Sequence, residues 1–194
     1  MATQANSDGR PAAFLDRDGT LMRDIHYPRD PEAVVLVPGA AEALRRLERA
    51  GIVRVVVTNQ SGIAQGKVSV ADYEAVRDRL AELLASEGAS VDASYHCPHH
   101  PDFTGACDCR KPATGMYRQA AAELALDPAA SLFVGDRWRD VGPGLELGGF
   151  ALLVPSEATP AADVDRARRE AQVVPTLGEA VDRYLAWLAR PAPR

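Results

Sequence analysis

Five short apolar, β-branched runs, residues 12–15, 52–57, 91–95, 132–134 and 150–154, alternate with stretches whose apolar residues recur at helical spacing. Runs of that length without polar alternation suit strands buried on both faces, and such strands belong to parallel sheets covered by helices. Between the first two, Ala40, Leu44, Leu47 and Ala50 form a helical stripe, and Gly51 stands where a capping glycine would stop the helix. Ser69 and Asp72 form a capping box ahead of Tyr73, Val76, Leu80, Leu83 and Leu84, with Gly88 beyond. Met116, Ala120 and Leu124 predict a third helix, and Thr176 with Glu179 caps a last one carrying Val181, Tyr184, Leu185 and Leu188. The alternation predicts an α/β fold with a doubly wound, mainly parallel sheet and helices on both faces. Residues 22–38 and 96–115 interrupt it and are free to shape a site.

At 194 residues the chain is long enough for one well-buried core. The expectation is a single domain over residues 11–189, between a flexible leader, residues 1–10, and a flexible tail, residues 190–194. With 46% hydrophobic and 25% charged residues it resembles ordinary globular chains, and no apolar run approaches the length that spans a membrane. The formal net charge of −5 gives no general attraction to nucleic acid or to an anionic membrane surface. The first ten residues lack the layout of a secretory signal, so the cytoplasm is the expected location, and a monomer is the simplest expectation.

In open α/β sheets, ligands bind beyond the carboxyl ends of the strands. The first run ends in Asp16-Arg17-Asp18-Gly19-Thr20, and side chains at i and i+2 of an extended chain leave the same face. Two carboxylates sharing one small space need a cation. Mg²⁺ prefers oxygen ligands from carboxylates and substrate phosphate, so Asp16 and Asp18 read as nucleophile and acid of an aspartyl-phosphate mechanism. The second run ends in Thr58-Asn59-Gln60-Ser61-Gly62, which offers a hydroxyl, amides and loop N–H groups to phosphate oxygens. After the fourth comes Gly135-Asp136-Arg137-Trp138-Arg139-Asp140, whose Asp136 would face the same crevice as a further cation ligand. Lys111 can neutralise a transferring phosphoryl group, and Arg110 can fork onto a second anionic group. Each motif alone is an ordinary polar turn; their order and placement at strand ends give them weight.

All three cysteines, Cys97, Cys107 and Cys109, fall in one loop with His99 and His100. Three thiolates and a histidine close a tetrahedral Zn²⁺ site with no open position, so this metal reads as structural. Spacing leaves His99 and His100 both eligible as the fourth ligand, and His96 reads as structural. Because Cys109 is joined to Arg110 and Lys111, fixing the last ligand of the 97–109 loop also fixes two cationic groups.

The ordered motifs FLDRDGT, TNQS, RKP and GDxxxD, between Phe14 and Asp140, resemble those of the haloacid dehalogenase-superfamily phosphatases. That resemblance implies a Rossmann-like sheet, Asp16 as nucleophile, Asp18 as acid and then base, and Thr58, Asn59 and Lys111 around the phosphoryl group, and one helix fills much of the interval from Gly62 to Ser90, which leaves no large cap there. It implies Mg²⁺ held by Asp16, the Asp18 main-chain carbonyl and Asp136, with Asp140 orienting them. CPHHP, CDCRKP and TNQSGIAQG are similar to the heptose bisphosphate phosphatases and the related histidinol-phosphate phosphatases, and favour His99 as the zinc ligand. A small phosphorylated sugar then becomes the expected substrate, losing its C7 phosphate to leave heptose 1-phosphate. Asp24, Ile25, His26, Tyr27, Gln60, Ser61, Arg110 and Arg137 would flank it, with His100 as a neighbouring contact. Met22 stands where the resemblance would place an asparagine, and the connection from His99 to Cys107 is short; both bear on specificity. Histidinol-phosphate hydrolysis is the nearest alternative, and a noncatalytic zinc-stabilised interaction module is the alternative of another class.

Overall fold

The computed structural model describes residues 9–190. Six parallel strands, β1 (Ala12–Leu15), β2 (Val53–Asn59), β3 (Ala93–Cys97), β4 (Leu132–Gly135), β5 (Phe150–Leu153) and β6 (Gln172–Val173), form one sheet in the order β3-β2-β1-β4-β5-β6. Strand β1 is central, so Asp16 emerges near the point where the strand order reverses, where open α/β sheets place their ligands.

Strand parity builds two apolar layers. Ala13, Leu15, Val56, Leu132, Val134 and Leu152 face one side, where α1 (Ala40–Arg49), α2 (Val70–Ser86) and α7 (Leu177–Leu188) cover them with Leu44, Leu47, Val76, Leu80, Val181 and Tyr184. Ala12, Phe14, Val55, Val57, Phe133 and Leu153 face the other, beneath α4 (Gly115–Leu124), α5 (Trp138–Glu146) and α6 (Ala161–Glu170). There Phe14, Tyr117 and Phe133 pack in mutual contact at centroid distances of 4.8–5.4 Å. Helix α2 starts on the expected Ser69–Asp72 capping box, and α7 on the Thr176 hydroxyl.

Three departures have local causes. The third strand starts and ends two residues later than expected, because Asp92 leaves the strand to accept from Arg54 N at 2.7 Å and to pair with the Arg54 guanidinium at 2.9 Å. Helix α5 is hidden in the sequence by Gly142-Pro143-Gly144, a turn-like triplet; at Gly144 a Cβ would lie 2.7 Å from Phe133, so glycine lets the helix approach the sheet. Helix α6 buries Ala167 alone and shows no apolar stripe. Residues 1–8 and 191–194 of the expected leader and tail lie outside the described residues. Arg10, assigned to the leader, joins the body by main-chain bonds with Ala125 and Asp127 at 3.0 and 2.9 Å. Among the described residues no helix is long and apolar enough to cross a membrane.

Leu44 is fully buried on α1 against the first layer. Leu44→Ala is expected to lower unfolding free energy by about 2–5 kcal/mol in a urea titration, leaving turnover per folded molecule unchanged.

Candidate active site

Lys111 is 2% exposed, and its ammonium reaches Asp16 Oδ1 at 2.7 Å, Asp140 Oδ1 at 2.6 Å and the Val57 carbonyl at 2.5 Å. Two of its hydrogens are thus bonded to Asp16 and Val57, while Asp140 pairs with it as an ion. Burial alone would lower the lysine's pKa, but Asp140 and Asp16 outweigh it and raise it. The lysine is held in turn by Asn59, whose amide donates to the Lys111 carbonyl and accepts from its N–H, both at 3.0 Å. The Asn59 side chain is thus spent on the Lys111 main chain. Asp140 places its second oxygen on Arg137 N at 3.0 Å, capping α5.

Asp16, Asp136 and Asp140 are 4%, 1% and 2% exposed, and each offers an oxygen within 4.8 Å of the others. Asp16 Oδ2 and Asp136 Oδ1 are buried without a hydrogen-bond partner. Burial pushes the Asp16 carboxyl up to about 7, Asp140, Asp18 and Asp136 adding to the rise and Lys111 opposing it. Two orphaned carboxylate oxygens in a dry, crowded carboxylate cluster fit a hard divalent cation. At Gly19 (φ +85°) a Cβ would lie 2.5 Å from Asp136 Oδ2, so only a glycine lets the turn after β1 pass there.

Asp18 contributes no carboxylate to that cluster. It accepts from Arg17 Nε and Nη2 at 3.1 and 3.0 Å, from Gln60 Nε2 at 2.9 Å and from Thr58 Oγ1 at 3.4 Å. Gln60, expected to flank substrate, also donates its amide to Thr58 Oγ1 at 2.8 Å. Arg17 is 2% exposed and lies 5.5 Å from the Tyr73 ring centroid. Its role was hidden by its place between the two aspartates, where alternation points it away from them.

The 22–38 excursion leans over this floor. His26 and Tyr27 adopt left-handed φ of 45° and 58°, a conformation favoured by glycine, with His26 N donating to Asp24 Oδ1 at 3.0 Å. The Tyr27 hydroxyl meets the Gln65 amide at 3.2–3.3 Å, and Lys67 sits 4.3 Å above the Tyr27 ring. Gln65 also donates to the Ser61 carbonyl at 3.2 Å, joining Ser61 to the excursion. Arg137 lies 3.9 Å from Asp24 across the mouth. Met22 is fully buried in the core, so it does not reach the mouth and does not bear on specificity by contact.

In the 97–109 loop, Cys109 Sγ lies 2.8 Å from Cys97, 3.5 Å from Cys107 and 3.2 Å from His99 Nδ1, and Cys97 lies 3.6 Å from Cys107 and 3.7 Å from His99. These four donors form a cluster able to hold a metal. His100 instead caps α3 (Pro101–Thr104), accepting from Asp102 N at 3.2 Å, and His96 stacks on Tyr73 at 4.2 Å. Arg110 donates to the His99 carbonyl at 3.2 Å, tying the cation to the cluster. Residues that the sequence reading missed are Arg17, Gln65, and Ser156 and Thr159, which bond Asp136 from beyond β5; Arg17 lay inside FLDRDGT and Gln65 inside TNQSGIAQG, while Ser156 and Thr159 lay in no motif.

A family model described as polynucleotide kinase 3 phosphatase matches residues 12–142, and one described as HAD-hydrolase-like matches residues 108–180. The D-glycero-β-D-manno-heptose-1,7-bisphosphate 7-phosphatase of Escherichia coli O6:H1 is 43% identical over 136 residues, 68% of this chain and 72% of that protein. The enzyme of the same name from Haemophilus influenzae is 41% identical over 138 residues, 69% of this chain and 75% of that protein. The crystal structure of D,D-heptose 1,7-bisphosphate phosphatase from B. bronchiseptica, complexed with magnesium and phosphate, superposes with a TM-score of 0.81 at 32% identity, covering 91% of this chain and 99% of that one.

Asn59→Ala leaves both Lys111 main-chain groups without their side-chain partner. The expected outcome is a loss of about 1–3 kcal/mol in chemical denaturation, together with a fall in kcat as Lys111 loses its placement.

Proposed function

Because the chain belongs to the haloacid dehalogenase-superfamily phosphatases, in the family of the D-glycero-D-manno-heptose-1,7-bisphosphate 7-phosphatases, we propose that it removes the C7 phosphate of that heptose bisphosphate through an aspartyl-phosphate on Asp16. The observation that carries the proposal is the buried Lys111 between Asp16 and Asp140, beside two carboxylate oxygens without partners.

In this reading Asp16 attacks phosphorus in line, the P–O bond to C7 breaks, and Asp18 gives its proton to the departing alkoxide. Asp18 then takes a proton from the water that attacks the aspartyl-phosphate, releasing inorganic phosphate and regenerating Asp16. Arg17, Gln60 and Thr58 keep the Asp18 carboxyl aimed through both steps. Lys111 holds positive charge beside the transferring group, where developing charge on the equatorial oxygens is stabilised by fixed donors. Asp16 and Asp136, with the Asp18 carbonyl, would hold Mg²⁺, which supplies further positive charge to those oxygens. Arg110 holds the retained C1 phosphate, while Asp24, His26, Tyr27, Ser61 and Arg137 surround the sugar.

The 97–109 cluster holds zinc with Cys97, His99, Cys107 and Cys109. Supporting this, the edge of a tetrahedral Zn–S site is about 3.8 Å, close to most of the sulfur separations here, 2.8–3.6 Å. The zinc sets Arg110 and Lys111 rather than touching substrate. The enzyme acts as a cytoplasmic monomer.

The family model for polynucleotide 3-phosphatases favours a second reading, a DNA 3′-phosphate substrate, against which the net charge of −5 weighs. Comparing kcat/KM for heptose 1,7-bisphosphate, histidinol phosphate and a 3′-phosphorylated oligonucleotide decides among them, and the heptose substrate is expected to lead. A lead for either other substrate overturns the assignment. Asp16→Asn is expected to abolish turnover, and Asp18→Asn to lower kcat by about 10²–10⁴-fold. Elemental analysis should find zinc stoichiometric with the chain, and Cys109→Ser should lose both zinc and activity.

A further inference from the structure

Asp136 is gripped from the loop that follows β5. Ser156 Oγ donates to Asp136 Oδ2 at 2.5 Å, and Thr159 Oγ1 donates to the Asp136 carbonyl at 2.8 Å. Each hydroxyl also accepts one bond from its own loop, Thr159 Oγ1 from Ser156 N at 2.8 Å and Ser156 Oγ from Ala158 N at 3.2 Å. With those N–H groups filling an acceptor site on each oxygen, both hydroxyl hydrogens are aimed at Asp136. Thus Oδ2 is committed to Ser156, with Arg137 Nε a further 3.5 Å away, while Oδ1 stays buried and unpartnered. Asp136 itself is 1% exposed, and Gly19 packs closely against its carboxylate. The carboxylate is therefore held through Oδ2 and leaves Oδ1 free.

We propose that Ser156 and Thr159 are positioning residues for the divalent-cation site: they latch one oxygen and the main chain of Asp136 so that its other oxygen is presented, already desolvated, to the metal. This rests on the reading of Asp136 as a cation ligand. Partners that orient a ligating carboxylate typically govern metal affinity by about 10–100-fold. A cleft of about 700 Å³, lined in part by Thr20, Arg23 and Ser156, adjoins the latch.

The test is Mn²⁺ binding to the purified full-length chain, followed by electron paramagnetic resonance, with circular dichroism as the check on folding. Wild type should bind one tight Mn²⁺ and Asp136→Asn should lose it; if the two bind alike, Asp136 is not a ligand and the reading beneath the latch fails. Given that difference, Ser156→Ala should weaken Mn²⁺ binding about 10-fold or more, and the Mg²⁺ concentration giving half-maximal phosphate release should rise in parallel. Thr159→Val should move the same way, and Thr159→Ser, which keeps the hydroxyl, should restore affinity. Should Ser156→Ala unfold the chain, the Thr159 pair carries the test. Unchanged Mn²⁺ affinity in the folded alanine or valine variant, or failure of Thr159→Ser to differ from Thr159→Val, overturns the proposal.

Discussion

A lysine with almost no solvent exposure, bonded at once to two aspartates and a strand carbonyl, is the constraint on which the rest of this structure depends. Burying such a cluster is costly, because the charges give up water and only mutual pairing repays them; removing one partner of a buried pair commonly costs about 3–5 kcal/mol. The fold repays it by convergence. Asp16 comes from the end of β1, the Val57 carbonyl from β2, Asp140 from the first turn of α5, and Lys111 from the loop closed by the cysteine cluster. Four segments must arrive together, so the sheet order that brings β1 between β2 and β4 is also what assembles the site.

Around that centre the side chains divide into those that meet a phosphoryl group and those that hold them still. Asn59 fixes the main chain of Lys111, Arg17 and Gln60 fix Asp18, and Asp140 ties α5 to the lysine. Asp16 and Asp136 each keep a buried oxygen without a hydrogen-bond partner, and Asp140 Oδ1 has its ion pair with Lys111. Carboxylate oxygens left without partners inside one buried cluster gather unsatisfied electrostatics at that point. The same economy extends to the mouth, where the left-handed backbone of His26 and Tyr27 is held by Asp24 and Gln65 rather than by glycine.

Much of this was legible in the residues because it obeys periodicity. The five apolar runs predicted five of the six strands, the Ser69–Asp72 box marked the start of α2, and Asp16, Asp136 and Lys111 stood where strand ends and motif order put them. What escaped was set by contacts that no period encodes. Helix α5 contains Gly142-Pro143-Gly144 because it must come close to Phe133, and α6 is too polar to announce itself. Asn59 and Gln60 have the chemistry of phosphate binders, yet their amides turn to Lys111 and Asp18, a choice fixed by distance in the folded chain. Ser156 and Thr159 lie in a loop whose sequence resembles any polar turn. Met22 shows the converse: a departure in a motif proved to be a core residue.

The central claim is that Asp16 itself carries the phosphoryl group between the two half-reactions. Mixing enzyme with heptose 1,7-bisphosphate and Mg²⁺, quenching in acid within milliseconds, and reducing with borohydride converts an acyl phosphate to an alcohol that peptide mass spectrometry can locate. The account predicts that residue 16 is recovered as homoserine, in an amount that falls as substrate is exhausted. Recovery of unmodified Asp16 during turnover, with phosphate still released, would contradict it and assign the attack on phosphorus to water.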